Sequence, residues 1–202
     1  MSVLDIGCGT GCMLEELSRQ GYSPAGLDLR PEGLRSTHAK LPRVLLLQGE
    51  AACLPLAAAS FEAVLLLDVM EHVDDRSLLQ ELDRVLKPGG IAIMTVPALP
   101  WLWSYRDEAA GHLRRYTRQN LSALLVGAGF EVREMDYYQC LLLPLAILTR
   151  LLGRKDATLR DLEEKPFPML NQLFIRMNIL EVSLGGVIRW PWGSTLVAVC
   201  QK

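Results

Sequence analysis

The sequence predicts an α/β fold in which helices cover both faces of a mostly parallel sheet. Three observations favour it: apolar stretches of strand length alternate with stretches of helical periodicity, the first apolar stretch runs into a glycine-rich turn, and two apolar stretches end in an acidic residue. With 202 residues, half of them hydrophobic, the chain can bury one sizeable core. We therefore expect one domain over residues 1–202.

The first element is a short strand that ends near Asp5 and runs into Gly7, Gly9 and Gly11. Glycine accepts positive φ angles and has no Cβ, so its backbone can approach a ligand closely. A helix is predicted over about residues 12–20. A strand, a glycine turn and a helix N-terminus in this order bind the polar part of a nucleotide-like cofactor, although the same pattern also serves as a tight turn that binds nothing.

The next elements continue the alternation. Residues 23–28 form a predicted second strand, which ends at Asp28, 23 residues after Asp5. An acid at about this distance from a glycine turn is placed to accept hydrogen bonds from ribose hydroxyls. A helix beginning at Pro31 follows. Residues 43–48 are nearly all aliphatic, which predicts a third strand buried on both faces.

The middle of the chain repeats this pattern. A fourth strand is predicted over about residues 63–67, and a helix over about residues 75–86 has its aliphatic side chains at helical spacing. Residues 87–90, Lys-Pro-Gly-Gly, are typical of a turn that ends a helix. Residues 91–96 then form a predicted fifth strand.

Four motifs in this order resemble those of the class I S-adenosylmethionine-dependent methyltransferases. They are the glycine turn, residues 49–56, residues 61–72 with their Glu-His end, and residues 87–90. The resemblance covers roughly the first half of the chain and is greatest to the small-molecule, methyltransferase type 11-like branch, with some similarity to ubiquinone-pathway O-methyltransferases. It implies a Rossmann-like sheet of seven strands, mostly parallel with the last strand antiparallel.

The resemblance implies S-adenosyl-L-methionine as cofactor and S-adenosyl-L-homocysteine as product. Asp5 would lie near the ammonium group of the cofactor's amino-acid tail, and Asp28 near the ribose. Glu50, where the family more often has Asp, would accept from the adenine amino group, and the Ala51 N–H would donate to the ring. The predicted cofactor-binding residues are Asp5, Gly7, Cys8, Gly9, Gly11, Asp28, Leu29, Glu50, Ala51 and Asp68.

The segment from Trp101 to Thr117 follows the fifth strand and is rich in aromatic and charged residues. We expect it at the same sheet edge as the cofactor, as one wall of the acceptor site. His112 is a candidate general base there, and His72 is a second candidate, whereas a single histidine more often has a structural role. Thr117 is a predicted helix N-cap. The predicted substrate-binding residues are Trp103, Arg114, Arg115 and Tyr116, although arginines before a helix are often simply solvated.

Asp68, Glu71 and His72 stand at i, i+3 and i+4, a spacing that places them on one face of a helical turn. Oxygen and imidazole groups together can hold a divalent cation. A comparable run in the ubiquinone-pathway O-methyltransferases is associated with metal. We favour the alternative, in which Asp68 lines the cofactor site while Glu71 and His72 pack against the next loop, and we predict no metal.

Residues 139–193 form an unusually long link between a sixth strand, residues 130–138, and a last strand, residues 194–200. Two apolar helix-like stretches flank a charged one within it, so a helical insertion is predicted. Its helices either pack on the domain or on a second copy in a homodimer, or they form a lid or a peripheral membrane-contacting surface that admits a lipid-like acceptor.

Composition disfavours other classes of function. The formal net charge of −2 and the absence of a basic cluster disfavour nucleic acid as a partner. The five cysteines contain no C-x-x-C pair, so we expect small buried apolar residues in a reducing cytoplasmic protein. No apolar stretch reaches the ~18 residues of a membrane span.

The resemblance implies methyl transfer to a small-molecule or lipid-like acceptor, at oxygen. One alternative is a regulatory or assembly protein that binds S-adenosylmethionine or S-adenosylhomocysteine without turnover. Another is a nicotinamide oxidoreductase, which the alternating glycines and residues 87–90 disfavour. Relatives usually have a helical segment before the first strand; here that strand begins near residue 1, so either the front is shortened or another part of the chain, such as residues 139–193, covers the cofactor.

Overall fold

A computed structural model describes residues 1–152, 167–185 and 188–202. The strands are β1 (Ser2–Ile6), β2 (Ser23–Asp28), β3 (Leu45–Gln48), β4 (Phe61–Leu67), β5 (Leu86–Pro97), β6 (Glu131–Tyr138) and β7 (Thr195–Gln201). The helices are α1 (Cys12–Arg19), α2 (Pro31–Lys40), α3 (Asp75–Val85), α4 (Tyr105–Ala110), α5 (Arg118–Gly127), α6 (Leu143–Leu152) and α7 (Pro168–Gly185), with 3-10 turns at Met70–His72 and Pro100–Leu102.

The strands form one seven-stranded sheet in the order β3-β2-β1-β4-β5-β7-β6. The pairs from β3 to β5 are parallel, whereas β7 is antiparallel to both β5 and β6. This confirms the predicted Rossmann-like fold with its antiparallel last strand. The carboxyl ends of β1, β2, β4 and β5 therefore meet at one edge of the sheet, where ligands of such folds bind.

Alternate residues of the central strands pack on opposite faces of the sheet, as the period of a strand requires. On one face, Val3 and Leu65 pack with side chains of α1. On the other face, Leu4 and Val64 join the larger core, to which α3 contributes Leu78, Leu79, Leu82 and Val85. The helical spacing read from the sequence thus identified the buried face of α3.

Three expectations from the sequence were wrong. Strand β3 stands at the edge of the sheet, and Leu45 is 54% exposed, because burial on both faces requires a neighbour on each side. Residues 87–90 lie within β5 as a bulge, since the register passes from Phe61 opposite Leu86 to Ala63 opposite Ile91. Of the cysteines, Cys8 and Cys200 are buried, but Cys12 and Cys53 are exposed.

The link between β6 and β7 contains α6 and α7, while the charged stretch at residues 154–165 lies outside the described residues. Glu181 of α7 is buried and accepts hydrogen bonds from the Cys140 and Leu141 N–H groups, which attaches α7 to the end of β6. The helix nonetheless exposes much of its apolar surface: Met169, Leu173, Ile175, Ile179, Leu180 and Val182. Among the described residues, no helix combines the length and apolar character of a membrane span.

Candidate active site

The glycine loop, residues 7–11, joins β1 to α1. Gly7, Gly9 and Gly11 have φ angles of 77°, 51° and 78°, a region that other residues rarely adopt. A Cβ on Gly7 would lie 2.6 Å from Val69 Cγ2, and one on Gly11 would lie 2.5 Å from Thr37 Cγ2. A Cβ on Gly9 would meet nothing within 4 Å. Two of the glycines therefore permit internal packing, and Gly9 borders open space.

Asp28, at the end of β2, is fixed against the glycine loop. Its Oδ2 accepts from the Gly9 N–H at 2.7 Å, and its Oδ1 accepts from the Arg30 N–H at 2.8 Å. Each carboxylate oxygen keeps a second lone pair, so the group can also accept hydrogen bonds from ribose hydroxyls. The acid is held by backbone N–H groups in a single orientation.

Asp5 is 3% exposed, and its environment disfavours ionisation. Burial, followed by the negative charge of Asp28, raises the pKa of Asp5 to about 7. A cation brought next to this carboxyl group would favour the ionised form and offset part of the burial cost. The group is therefore suited to the ammonium of an amino-acid tail.

The other predicted cofactor residues lie near the same edge in different settings. Leu29 and Glu50 are exposed and Ala51 is buried, as is Cys8, whose thiol pKa burial raises to about 12. Asp68 has a φ of 55°, and its Oδ1 accepts from Thr95 Oγ1 at 3.0 Å. Their contacts with a cofactor stay predictions.

The histidine loop, residues 98–117, follows β5 and is organised around buried Asp107 of α4. Asp107 Oδ1 accepts from Arg115 Nε at 2.7 Å and lies 3.0 Å from His112 Nδ1. Arg115 also donates to Ala98 O at 2.9 Å. Burial opposes ionisation of Asp107, but the hydrogen bond and charge of Arg115 outweigh it and lower the pKa. Asp107 thus fixes His112 and stays charged.

The predicted substrate-binding residues of this loop divide into two groups. Arg115 and Tyr116 are buried, and Arg114 and Tyr116 both contact Asp75 Oδ1 of α3, at 2.7 Å and 2.8 Å. Burial, together with that hydrogen bond, raises the pKa of the Tyr116 hydroxyl. These contacts hold the loop onto the domain, whereas Trp103 is 39% exposed and accessible. Substrate binding by any of the four residues stays a prediction.

Glu71 and His72, in the 3-10 turn after β4, contact the histidine loop. The Leu113 N–H donates to Glu71 O at 2.8 Å, and the His72 and His112 rings stack edge to face with centroids 4.8 Å apart. Burial raises the pKa of Glu71 to about 8, and it lowers the pKa of His72. Asp68, which the sequence pattern groups with them, is exposed and points its carboxylate to Thr95 instead.

Two residues of the site, Asp107 and Asp75, were missed in the sequence. The signal for Asp107 was the Ser104-x-x-Asp107 spacing, a capping box that the structure contains. Asp75 had no such signal, because an acid in the first turn of a helix is common. A large open cavity lies elsewhere, beside β6 and α5, and its lining residues include none of the predicted site residues.

Comparisons with known proteins find similarity to methyltransferases. Residues 4–94 match the family model described as a methyltransferase domain. An uncharacterized methyltransferase of Mycobacterium tuberculosis is 37% identical over 112 residues, 55% of this chain and 43% of that protein. The ubiquinone biosynthesis O-methyltransferase of Azorhizobium caulinodans is 38% identical over 100 residues, 47% of this chain and 40% of that protein. The chain spans about half the length of the curated relatives it matches.

Solved structures support the fold. Phosphoethanolamine N-methyltransferase 2 of Haemonchus contortus, in complex with S-adenosyl-L-methionine, has a TM-score of 0.68 at 17% identity and covers 100% of this chain and 48% of its own. A SAM-dependent methyltransferase from Archaeoglobus fulgidus has a TM-score of 0.64 at 17% identity, covering 100% of this chain and 86% of its own. At such identities the similarity concerns the fold.

Proposed function

We propose that this chain, whose residues 4–94 match the methyltransferase domain family, binds S-adenosyl-L-methionine and transfers the methyl group to a small-molecule or lipid-like acceptor, at oxygen. The observation that carries the proposal is the glycine loop with Asp28 held against it. A Cβ on Gly9 would meet nothing within 4 Å, so the backbone there borders open space. The Gly9 N–H also donates to Asp28 Oδ2 at 2.7 Å. A ligand there would meet a bare backbone and an oriented carboxylate.

The residues around the loop have complementary tasks. Asp28 accepts from the ribose hydroxyls, and Asp5 pairs with the ammonium of the methionine tail, which compensates for its burial. When bound, the cofactor supplies a methyl group that is already activated on a sulfonium. The protein then mainly aligns the acceptor oxygen with that methyl group and excludes water from the path.

The acceptor class is proposed from position and surface character. Trp101 and Trp103 of the histidine loop and the apolar side chains of α7 are exposed, which supports an acceptor with a large apolar part. The distant similarity to a ubiquinone biosynthesis O-methyltransferase supports oxygen as the methylated atom. Incubating cell extract with the protein and isotope-labelled cofactor, followed by mass spectrometry, would identify the acceptor. Cofactor binding without any labelled product would favour the non-catalytic alternative.

Cofactor binding is tested by calorimetry with S-adenosylhomocysteine and NAD on a matched pair of variants, Gly9→Ala and Gly21→Ala. Both glycines have positive φ, and a Cβ on either would meet nothing within 4 Å, so the two substitutions impose similar backbone strain. We expect the wild type to bind S-adenosylhomocysteine and not NAD. Gly9→Ala should weaken that binding by at least about tenfold, equivalent to about 1.4 kcal/mol, with little change in Gly21→Ala. Equal effects of both variants, or preferential NAD binding, would contradict the proposal.

A further inference from the structure

Glu71 is completely buried, and no other residue in the described part of the chain donates a hydrogen bond to its carboxylate oxygens. A buried carboxylate without donors is costly and calls for a partner. His112 Nε2 lies 3.9 Å from Glu71 Oε1, beyond hydrogen-bond distance. Arg115 contributes a positive charge nearby, but its guanidinium is bonded to Asp107 and Ala98. The carboxyl group therefore has oxygen lone pairs that no described residue uses.

Each of the two neighbouring histidine rings is held in place by a hydrogen bond at its Nδ1 atom. His112 Nδ1 lies 3.0 Å from Asp107 Oδ1, and His72 Nδ1 lies 3.3 Å from Gly111 O. A carbonyl or carboxylate oxygen only accepts hydrogen bonds, so each Nδ1 must be the donor. The Nε2 atom then keeps its lone pair, which is the tautomer that metal-binding histidines use.

These contacts bring three potential ligands together from two separate loops. One polar atom each of Glu71, His72 and His112 can be chosen so that all three lie within 4.8 Å of one another. We propose that these residues, the Glu-His-His cluster, bind a divalent transition metal ion. Metal bonds of about 2.0–2.2 Å place ligand atoms about 3–3.5 Å apart, so binding draws the side chains together by on the order of 1 Å.

The ligand set decides the class of metal. Two imidazoles and one carboxylate suit Zn²⁺, Co²⁺ or Fe²⁺, whereas Mg²⁺ and Ca²⁺ prefer oxygen ligands throughout. His72 is exposed, which gives an ion a path from solvent to the buried carboxylate. The cluster differs from the group in the sequence pattern, because His112 joins it and Asp68 does not.

Three protein ligands leave a coordination position open, as in catalytic metal sites. A bound metal would lower the pKa of an acceptor hydroxyl at that position, and the hydroxyl would then release its proton to solvent water, so neither His72 nor His112 would be required as a general base. This consequence rests on the proposed methyl transfer, but the metal binding does not. Val69 lies next to Gly7 and Glu71 follows two residues later, so the cluster lies close to the glycine loop.

Cobalt titration of the metal-free full chain tests the proposal, because Co²⁺ with histidine ligands absorbs visible light. We expect one Co²⁺ per wild-type chain, displaced by Zn²⁺. Affinity should fall by on the order of 100-fold in Glu71→Gln and in His72→Ala, since loss of a ligand costs at least as much as loss of its supporting partner. His38→Ala is the matched control: His38 is the remaining histidine of the sequence, exposed on α2 and outside the cluster.

No Co²⁺ binding by the wild type, unchanged affinity in Glu71→Gln and His72→Ala, or an equal loss in His38→Ala would each overturn the proposal. Circular dichroism reports whether the variants fold. Because His72 is exposed, His72→Ala tests the site even where Glu71→Gln reduces the folded fraction. Binding of S-adenosylhomocysteine to the metal-free wild type is measured separately, so a failure of the proposed function is distinguishable from a failure of the metal site.

Discussion

The glycine loop and the histidine loop both stand at the carboxyl edge of the sheet, but different interactions hold them in place. Backbone groups and missing Cβ atoms shape the glycine loop, where the Gly9 N–H anchors Asp28. Side-chain ion pairs shape the histidine loop: Arg115 pairs with Asp107 within the loop, and Arg114 pairs with Asp75 of α3. Substitutions of side chains should therefore affect the histidine loop most, whereas substitutions of glycine should affect the glycine loop most.

The largest expected effect comes from breaking the ion pair inside the histidine loop. The Arg115 and Asp107 side chains are 4% and 1% exposed, so Arg115→Met leaves a buried carboxylate without its main partner. We expect the free energy of unfolding to fall by about 3–5 kcal/mol in urea denaturation. The double variant Arg115→Met/Asp107→Asn should recover part of the loss, because it leaves no uncompensated charge.

A surface ion pair supplies the control for that experiment. Arg35 and Glu32 lie in α2 with side chains 72% and 73% exposed. Solvated pairs of this kind contribute little to stability, so Arg35→Met should unfold at nearly the wild-type urea concentration. If the two single variants unfolded alike, the histidine loop would not depend on its buried ion pair.

The next effect concerns Asp5 at the glycine loop, whose pKa burial and Asp28 raise from 3.8 to about 7. The fold favours the protonated form, so the stability linked to this group is complete below about pH 4 and is lost as the pH rises through about 7. Asp5→Asn should therefore stabilise the ligand-free protein at pH 8, by at most about 4 kcal/mol, because a tenfold change in proton affinity is about 1.4 kcal/mol.

Thermal unfolding of the wild type and Asp5→Asn at about pH 5 and pH 8 measures this effect. The stabilisation should grow with pH, and a constant difference between the two proteins would show that Asp5 does not titrate in this range. Asp5→Asn should lower the affinity for S-adenosylhomocysteine at pH 8, although it raises the stability of the ligand-free protein. In the wild type it rises with pH as Asp5 ionises to pair with the ligand's ammonium, and Asp5→Asn should abolish that rise.

The same contrast between the loops explains what could be predicted from the sequence. The glycine loop is encoded by contiguous residues, so its position, the strand before it and the acid at Asp28 were all predictable. The exposure of Leu45 could not be predicted, because it depends on the position of β3 at the edge of the sheet. The residues of a strand do not by themselves determine its place in the strand order.

The histidine loop and its neighbours depend on contacts between distant parts of the chain. Local spacing grouped Asp68 with Glu71 and His72, but the φ of 55° at Asp68 turns the backbone, and a 3-10 turn follows in place of an α-helix. Glu71 then points inward to His112, which lies 41 residues later in the sequence. No periodicity in the chain could indicate that meeting.

The smallest effect tests how closely α2 must approach the glycine loop. A Cβ on Gly33 would lie 2.6 Å from Gly9 O, a backbone atom that cannot move without shifting the loop and its hydrogen bond to Asp28. Gly127, in α5, is also helical, but a Cβ there would meet nothing within 4 Å. Both glycines lie in an end turn of a helix, so the pair Gly33→Ala and Gly127→Ala differs mainly in the contact with the loop.

Gly127→Ala should stabilise the protein by less than about 1 kcal/mol, because the full gain belongs to a helix interior and Gly127 is the last residue of α5. Gly33→Ala should instead destabilise it by about 1–3 kcal/mol through overpacking, and it should weaken S-adenosylhomocysteine binding. Urea denaturation and calorimetry measure the two effects. If Gly33→Ala were as stabilising as Gly127→Ala, the glycine loop would tolerate displacement, and the preorganised Asp28 carboxylate would not be what distinguishes this loop from the histidine loop.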